Sequence, residues 1–300
     1  MEKPSPHRET DLYFNKIIIG TAQFGMPYGI ANYKGKVSKV EVETILNFAY
    51  KAGINTIDTA TGYGNSENII GHYLKKHVTQ KWFIITKVSG SKDKLYDQLS
   101  QSIDKLGATP SGVLAHSIDD YLGTIFCDKP DKIKKKFLIE KIGVSIYEEE
   151  HIDRVLAAKT PDIIQCPLNI LDTRLYRNGI LDKMKANGLE IHVRSVFLQG
   201  MFYLPVKILQ HNFNDVFPTI KLLKTIAQKA GLTLAELSLL WVCSLEQVDK
   251  VIIGVDNVEQ LKAHLETLKK QVEPNIYEEA LSIIYENESF LNPSLWEAKS

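Results

Sequence analysis

Four side chains of complementary chemistry mark this 300-residue sequence as a possible proton-transfer catalyst. Asp58, Lys87 and His116 end the second, third and fourth predicted strands, and Tyr63 lies five residues past Asp58. Taken alone each is weak evidence, because an Asp often caps a helix and a single His or Tyr often only packs in a core. Together, a phenol, an ammonium, an imidazole and a carboxylate could protonate a carbonyl oxygen and hold the carbonyl in place. Their joint placement therefore predicts one reaction centre.

The elements that must position these residues form a regular alternation of strands and helices. Eight short runs rich in Ile and Val are each followed by a segment of helical periodicity; they span 17–20, 55–58, 82–87, 112–116, 142–145, 162–166, 190–195 and 251–254. The runs are apolar at successive positions, which is typical of strands buried on both faces of a parallel sheet. Polar residues at the carboxyl ends of such strands would meet at one rim of a closed barrel.

Eight strand–helix units without a Pro/Gly/Ser-rich linker predict a single (β/α)8 TIM barrel over residues 1–300. Residues 1–14 would be an N-terminal extension, and an extra C-terminal helix would follow the barrel. The competing fold is an open doubly wound sheet, which usually carries GxGxxG after its first strand. Here the first strand leads into GTAQFG (20–25), so that fingerprint is missing.

Several helix boundaries are also predicted from the sequence. One helix face is formed by Val42, Ile45, Leu46 and Ala49. N-terminal capping signatures occur at Ser38/Glu41, Thr233/Glu236 and Asp256/Glu259. The connections 117–130 and 196–217 are long for a compact domain, and the second is rich in aromatic residues. We therefore expect a binding loop there, with a loop merely packed on the barrel as the alternative.

Composition excludes several classes of protein. Lys+Arg and Asp+Glu are 36 each, so no net charge attracts the chain to nucleic acid or to an anionic membrane. No apolar stretch is long enough to span a membrane, and the N-terminus lacks a secretory apolar core. The three cysteines form no CxxC pair or zinc framework. The expectation is a cytoplasmic protein that binds no metal, membrane or nucleic acid.

The segment DTATGYGNSE (58–67) resembles the signature of the aldo-keto reductases, and the resemblance covers the chain from Ile17 to about Leu268. IITK (84–87) is similar to the family's strand-three lysine, and VLAH (113–116) to its strand-four histidine. The resemblance implies an NAD(P)H-dependent enzyme that reduces an aldehyde or ketone to an alcohol. Two alternatives remain: a nicotinamide-nucleotide-binding regulatory protein of the same fold, and a barrel hydrolase or lyase. The latter would need metal-ligand clusters or paired carboxylates, which the strand ends lack.

The resemblance also implies roles for the four residues. Tyr63 would be the general acid, Lys87 would lower the pKa of the Tyr63 phenol, and Asp58 would hold Lys87 charged. His116 would orient the carbonyl by a hydrogen bond. Glu67 is interpreted as a structural partner of the Tyr63 loop rather than as a catalytic group.

Cofactor-binding residues are carried over in the same way. Ser145 and Gln165 would hold the nicotinamide carboxamide, although Ile146 replaces the Asn usual after that serine. Arg194 stands where many members place an aromatic ring. Residues expected along the rest of the cofactor are Gly20, Thr21, Ser195, Leu198, Gly200, Gly254, Gln260 and His264.

The adenosine end departs most from the family pattern. Members that bind NADPH offer Lys and Arg after the eighth strand, whereas this chain offers Asp256 and Glu259, which would repel a 2′-phosphate. The family implies NADP(H), with NAD(H) or dual use as the alternative.

The substrate is expected to be a small carbonyl compound. Phe24, Met26 and Tyr28 would form one wall of its pocket, with Phe197 or Phe202 opposite. GTAQFG (20–25) and RSVFLQG (194–200) look similar to a subgroup linked to sugar and surface-polysaccharide metabolism, which indicates a sugar or sugar derivative.

Overall fold

Eight parallel strands close into a barrel in sequence order, with the first strand pairing with the eighth. The computed structural model describes residues 13–90, 94–123, 126 and 129–296. The strands are β1 Ile17–Gly20, β2 Thr56–Asp58, β3 Phe83–Val88, β4 Gly112–Ala115, β5 Lys141–Ser145, β6 Ile163–Pro167, β7 Glu190–Arg194 and β8 Lys250–Gly254. The predicted (β/α)8 barrel is confirmed, and the strands lie within one residue of their predicted bounds at most ends.

Helices follow the strands and cover the outside of the barrel. They are α1 Ala22–Gly25, α2 Lys39–Lys51, α3 Ser66–Lys76, α4 Leu95–Leu106, α5 Ile118–Leu122, α6 Pro130–Phe137, α7 Glu150–Ala158, α8 Arg174–Arg177, α9 Ile180–Ala186, α10 Val206–Asn212, α11 Phe217–Lys229, α12 Leu234–Ser244, α13 Val258–Thr267, α14 Pro274–Leu281 and α15 Glu288–Leu291. Short 3-10 helices span Leu198–Tyr203 and Pro293–Leu295. The sequence predicts one extra C-terminal helix after the barrel, and the structure has two there, α14 and α15.

Local sequence explains where these helices begin and which face they bury. The predicted face of α2 is buried against the barrel, and Ser38 caps the helix by accepting a hydrogen bond from the Glu41 N–H at 3.2 Å. The Glu41 carboxylate does not close a capping box; it accepts from the N–H of Val258 and so links α2 to α13. The box at Thr233 and Glu236 is complete at the start of α12.

One predicted cap is wrong. The N-cap of α13 is Asn257, whose side chain accepts from the Gln260 N–H at 2.9 Å, and not Asp256. The N–H of Asp256 instead donates to the Gln260 side chain at 2.7 Å. An Asn caps a helix as well as an Asp does, so spacing alone could not separate the two.

The two long connections contain helices of their own. The first carries α5 and α6, with residues 124–125 and 127–128 outside the described part. The second carries a 3-10 helix and α10, and its Phe197 and Phe202 are buried. Within the described residues, no single helix passes as a membrane span by length and hydropathy; only the bent pair α11 and α12 does so jointly.

The barrel interior is filled near its middle and leaves polar side chains at the carboxyl rim. Ile85, Leu114 and Ile163 form a separate apolar cluster. Gly143 makes room for this layer, since a Cβ there would lie 2.8 Å from Leu114 Cγ and 2.6 Å from the Ile163 carbonyl oxygen. The polar residues discussed below lie beyond this apolar layer.

Candidate active site

A buried ion pair joins the ends of β2 and β3. Lys87 and Asp58 are 1% and 2% exposed, and the Lys87 Nζ donates to Asp58 Oδ1 at 2.5 Å and to the Thr59 carbonyl at 3.1 Å. The other carboxylate oxygen accepts from Gln165 Nε2 at 2.8 Å, across to β6. Burial lowers the pKa of Lys87, and the Asp58 carboxylate opposes that shift. The carboxylate therefore stabilises the charged form of Lys87 at a buried position that water does not solvate.

The loop after β2 brings Tyr63 to this pair. The Lys87 Nζ lies 5.1 Å from the centroid of the Tyr63 ring. The His116 ring, one residue past β4, meets the Tyr63 ring edge-on with centroids 6.1 Å apart. Four residues from three strands are thus brought together as the sequence predicts, and their catalytic roles stay predictions.

Hydrogen bonds fix the Tyr63 loop against the loop after β1. Ser66 Oγ lies 2.9 Å from Thr21 Oγ1, and Thr21 Oγ1 donates to the Asp58 carbonyl at 2.9 Å. Gly25 packs directly under Tyr63, because a Cβ at Gly25 would lie 1.7 Å from the Tyr63 carbonyl oxygen. The close approach of two backbones requires a glycine there.

Glu67 has a structural position in this region. It is 2% exposed and accepts hydrogen bonds from Thr86 at 2.8 Å and Ser102 at 2.5 Å, which ties α3 to β3 and α4. None of these partners belongs to the reaction centre. The contacts agree with the interpretation of Glu67 as a support for the Tyr63 loop.

The surroundings of Tyr63 raise the pKa of its phenol. Burial is the main cause, and Asp58 adds to it, while Arg194 acts in the opposite direction. The net shift is therefore opposite to the lowering expected from the Lys87 charge, because burial outweighs the nearby positive charges. The phenol keeps its proton at neutral pH and is available as a donor.

His116 is uncharged at neutral pH. Burial, followed by the positive charges of Lys87 and Arg194, lowers the pKa of His116 to about 4. A neutral imidazole carries one N–H donor and one acceptor. His116 can therefore give a hydrogen bond to a carbonyl oxygen without competing with Tyr63 as an acid.

A cavity of about 470 Å³ opens from the reaction centre along the carboxyl rim. Asp58 and Tyr63 lie at one end, and residues of α12 and α13 lie at the other. Predicted cofactor residues that line it are Gly20, Thr21, Gln165, Arg194, Ser195, Gly200, Gly254, Gln260 and His264. The cleft joins the reacting end to the strands seven and eight, where barrels commonly bind phosphate.

Gln165 supplies a specific test of whether this cleft suits a nicotinamide. Its Nε2 is committed to Asp58, but its Oε1 is buried and has no hydrogen-bond partner among the described residues. A buried acceptor without a partner costs about 1–3 kcal/mol. A carboxamide N–H₂ would satisfy it, so the residues present fit the nicotinamide.

Other predicted residues lie outside the cavity lining. Phe24 is fully buried in the hydrophobic core, so its predicted place in the substrate wall is wrong; the short helix α1 turns it inward. The Leu198 side chain is fully buried in the core, with φ of +46°; the expected contact of the Leu198–Gly200 backbone with the cofactor stays a prediction. Ser145 is 2% exposed beside Gln165 in the strand register, and neither it nor Met26 lines the cavity. Tyr28 does line it.

Arg194 packs on a neighbouring ring. Its guanidinium carbon lies 4.0 Å from the Tyr147 ring centroid, Nη2 donates to the Ile146 carbonyl at 3.1 Å, and Nη1 donates to Ser195 Oγ at 3.2 Å. The position that often carries an aromatic ring in the family thus carries an oriented cation.

The far end of the cleft is aromatic and acidic. The Phe197 and His264 rings stack with centroids 4.8 Å apart and planes 19° apart, and burial lowers the pKa of His264 to about 4. Asp256 lines the cleft and accepts from Asn32 Nδ2 at 3.2 Å. Among the described residues, Arg194 is the only Lys or Arg in the lining, and it lies at the opposite end.

Sequence reasoning missed four residues of this site. Gln23, Asn32 and Glu236 line the cleft, and Tyr147 supports Arg194. Tyr147 and Gln23 could have been proposed, because they follow predicted strand ends. Asn32 and Glu236 carry no such signal, since a tertiary approach of distant loops brings them to the cleft.

Within the described part of the chain, no group of three or more His, Cys, Asp or Glu could hold a metal ion.

The fold and the site together define a (β/α)8-barrel oxidoreductase that acts on carbonyl groups. The Aldo/keto reductase family matches residues 16–283, and the chain belongs to that family of NAD(P)H-dependent reductases. Two curated relatives from Escherichia coli K12 are similar over most of their length. The NADH-specific methylglyoxal reductase is 26% identical over 89% of this chain and 93% of its own. The L-glyceraldehyde 3-phosphate reductase is 23% identical over 80% of this chain and 82% of its own.

A solved structure agrees with the fold. The holo form of an aldo-keto reductase from Bacillus halodurans superposes with a TM-score of 0.72 over 91% of this chain and 94% of its own, at 18% identity. At that identity the likeness supports the barrel alone.

Proposed function

We propose that this protein reduces an aldehyde or ketone with NADH, using Tyr63 as the proton donor. The observation that carries the proposal is the buried Lys87–Asp58 pair beside the Tyr63 ring, at the end of a cleft in which Gln165 presents an unsatisfied acceptor. A regulatory protein with little turnover would have no need for a buried ion pair at this point.

The residues of the site have distinct tasks in this mechanism. A bound nicotinamide supplies a hydride to the carbonyl carbon. Tyr63 donates its phenolic proton to the carbonyl oxygen as negative charge develops there. Neutral His116 donates a hydrogen bond that orients the same oxygen. Lys87, held charged by Asp58, stabilises the phenolate that remains.

The cofactor would lie along the cleft, with its carboxamide at Gln165 and its adenosine near His264 and Phe197. NADPH carries a 2′-phosphate that needs cations, whereas Asp256 brings negative charge to that end and the charge of Glu236 is paired with Lys270. Burial raises the pKa of Asp256, and the Gln260 side chain opposes this shift. These features favour NADH over the NADP(H) that the family pattern implies.

The substrate class is a small aldehyde, which a sugar derivative in its open form also provides. Of the relatives, one is named for methylglyoxal and another for L-glyceraldehyde 3-phosphate. Tyr28, whose pKa burial raises to about 12, would present an apolar ring and a protonated hydroxyl to such a compound. A cytoplasmic location, without membrane or nucleic-acid partners, is part of the proposal; the described cysteines, Cys166 and Cys243, are buried and unpaired.

The central experiment compares Tyr63→Phe with Tyr33→Phe, a control at a ring that is 74% exposed. Loss of the proton donor should lower kcat for methylglyoxal by about 10²–10⁴-fold. Quenching of tryptophan fluorescence by NADH should give an unchanged dissociation constant in both variants. Reduction by Tyr63→Phe at the wild-type rate would overturn the assigned role.

Cofactor preference is tested by titrating the same protein with NADH and NADPH. We expect NADH to bind at least about tenfold more tightly, and Asp256→Asn to strengthen NADPH binding severalfold by removing repulsion. Glu259→Gln is the matched control, because its side chain is 73% exposed and lies outside the cavity lining. Tighter binding of NADPH by the wild-type protein would contradict the proposal.

A further inference from the structure

The cleft holds one positive charge that the reduction mechanism does not use. Arg194 lines the cavity, and no acidic side chain among the described residues pairs with it. The Asp58 charge is already committed to Lys87, and Glu236 forms an ion pair with Lys270. A permanently charged guanidinium without a carboxylate partner is a ready site for an anion.

The guanidinium is held in a defined orientation. Tyr147 supports one face, while the Ile146 carbonyl and Ser195 Oγ fix two of its N–H groups. A guanidinium has more donors than these two bonds use. The remaining donors are available to a ligand, and the planar group matches the two oxygens of a carboxylate or phosphate.

Arg194 ends β7 opposite Pro167 of β6, two residues past Gln165, and so lies near the reacting end of the cleft. Burial and Asp58 raise the pKa of Tyr63, and Arg194 opposes them. Burial and Lys87 lower the pKa of His116, and Arg194 acts in the same direction. One of its N–H groups donates to the Ile146 carbonyl in the loop after β5, and another donates to Ser195 at the β7 end, so the guanidinium lies between the reacting end and the rim where barrels commonly bind phosphate.

We propose that Arg194 binds an oxyanion, a carboxylate or a phosphate, carried by the carbonyl substrate itself. This inference rests on the proposed reductase function and names the class of substrate: anionic aldehydes or ketones rather than neutral ones. Arg194 would act on substrate selection, and the proton and hydride steps would remain with the residues described above.

The test uses two matched substrate pairs with the full-length enzyme and NADH: glyceraldehyde 3-phosphate with glyceraldehyde, and succinic semialdehyde with butanal. The wild-type enzyme should favour the anionic member of at least one pair by about tenfold or more in kcat/KM. Arg194→Gln should lower kcat/KM for that member by about 10–100-fold, which corresponds to a charged hydrogen bond of about 1.5–3 kcal/mol. The loss for the neutral member, which reports any effect of Arg194 on Tyr63, His116 or the cofactor, should be at least about fivefold smaller. The favoured pair distinguishes phosphate from carboxylate.

Two further variants keep the result interpretable. Arg194→Lys keeps the charge without the planar fork and should recover part of the preference. Arg177→Gln changes an exposed arginine elsewhere and should leave both pairs unaffected. Equilibrium binding adds a readout independent of turnover. The NADH-loaded Arg194→Gln protein should bind the product of the favoured anionic substrate, glycerol 3-phosphate or 4-hydroxybutyrate, at least about tenfold more weakly than the wild-type protein does.

Several outcomes would overturn the inference. One is an equal loss for charged and neutral substrates in Arg194→Gln, with weaker NADH binding, which would assign the residue to the cofactor. Another is a wild-type enzyme without preference for either anionic member. Neither would affect the reductase proposal, which fails only if no aldehyde or ketone, charged or neutral, is reduced or if Tyr63→Phe is fully active.

Discussion

The substitution Lys87→Met probes the ion pair on which the site depends. Methionine matches the length of the lysine stem, so the change removes a charge without opening a large cavity. Asp58 would remain 2% exposed, with the single hydrogen bond from Gln165 to its carboxylate. Removing one partner of a buried pair costs about 3–5 kcal/mol, because it leaves an unpaired charge in the interior. We therefore expect the free energy of unfolding to fall by that amount.

The double variant Lys87→Met with Asp58→Asn shows whether the lone charge is the cause. The amide keeps the bond from Gln165 and removes the unpaired carboxylate, so the double variant should recover at least about 2 kcal/mol relative to Lys87→Met. Urea unfolding followed by circular dichroism measures both values. Melting temperatures should follow, at about 2–4 °C per kcal/mol for a protein of this size. Both variants should lose most of their turnover.

The reasoning would be refuted by either of two results. Lys87→Met could cost less than about 1 kcal/mol, which would mean that water or another group compensates Asp58. Alternatively, the double variant could be as unstable as the single one, so that lost packing rather than lost charge would explain the effect. Lys76→Met, at a half-exposed ion pair with Glu43, is the control and should change stability by about 1 kcal/mol or less.

Two other features give predictions of different kinds. Gly25→Ala would place a Cβ 1.7 Å from the Tyr63 carbonyl oxygen, so kcat/KM should fall by about 100-fold or more as the loop shifts. The control Gly188→Ala strains a backbone at φ of +76° but brings its Cβ within 4 Å of no described atom, so it should lose some stability and keep its activity. An active Gly25→Ala enzyme would exclude the close approach. Burial lowers the pKa of His264 from 6.5 to about 4, so as the pH falls the imidazole is protonated in the unfolded chain before it is protonated in the folded protein. The free energy of unfolding should therefore fall as pH drops from 6.5 through 4. His264→Asn should reduce that slope by about one proton in pH-dependent urea titrations, and an unchanged slope would contradict the buried neutral imidazole.

Much of the fold was readable because a strand buried on both faces leaves a direct imprint on the sequence. The runs ending at Lys87 and His116 are apolar at successive positions, which is typical of a strand covered on both sides. Their polar ends then had to meet, since parallel strands of a barrel share one rim. Less was readable where chemistry is degenerate: Asn257 and Asp256 cap a helix equally well, and Phe24 looks the same in a pocket wall as in a core.

By itself, the sequence determined the barrel, its strand bounds and the grouping of the phenol, amine, imidazole and carboxylate. Only the tertiary structure decided that Gln165 donates to Asp58 from 107 positions away and keeps a free acceptor. It also decided that Arg194 lies on Tyr147 with no acidic partner among the described residues, and that the pKa of Tyr63 is raised by burial rather than lowered by Lys87. The physical reason is that periodicity is a local property of the chain. Desolvation and charge pairing depend on neighbours that the fold brings from distant segments.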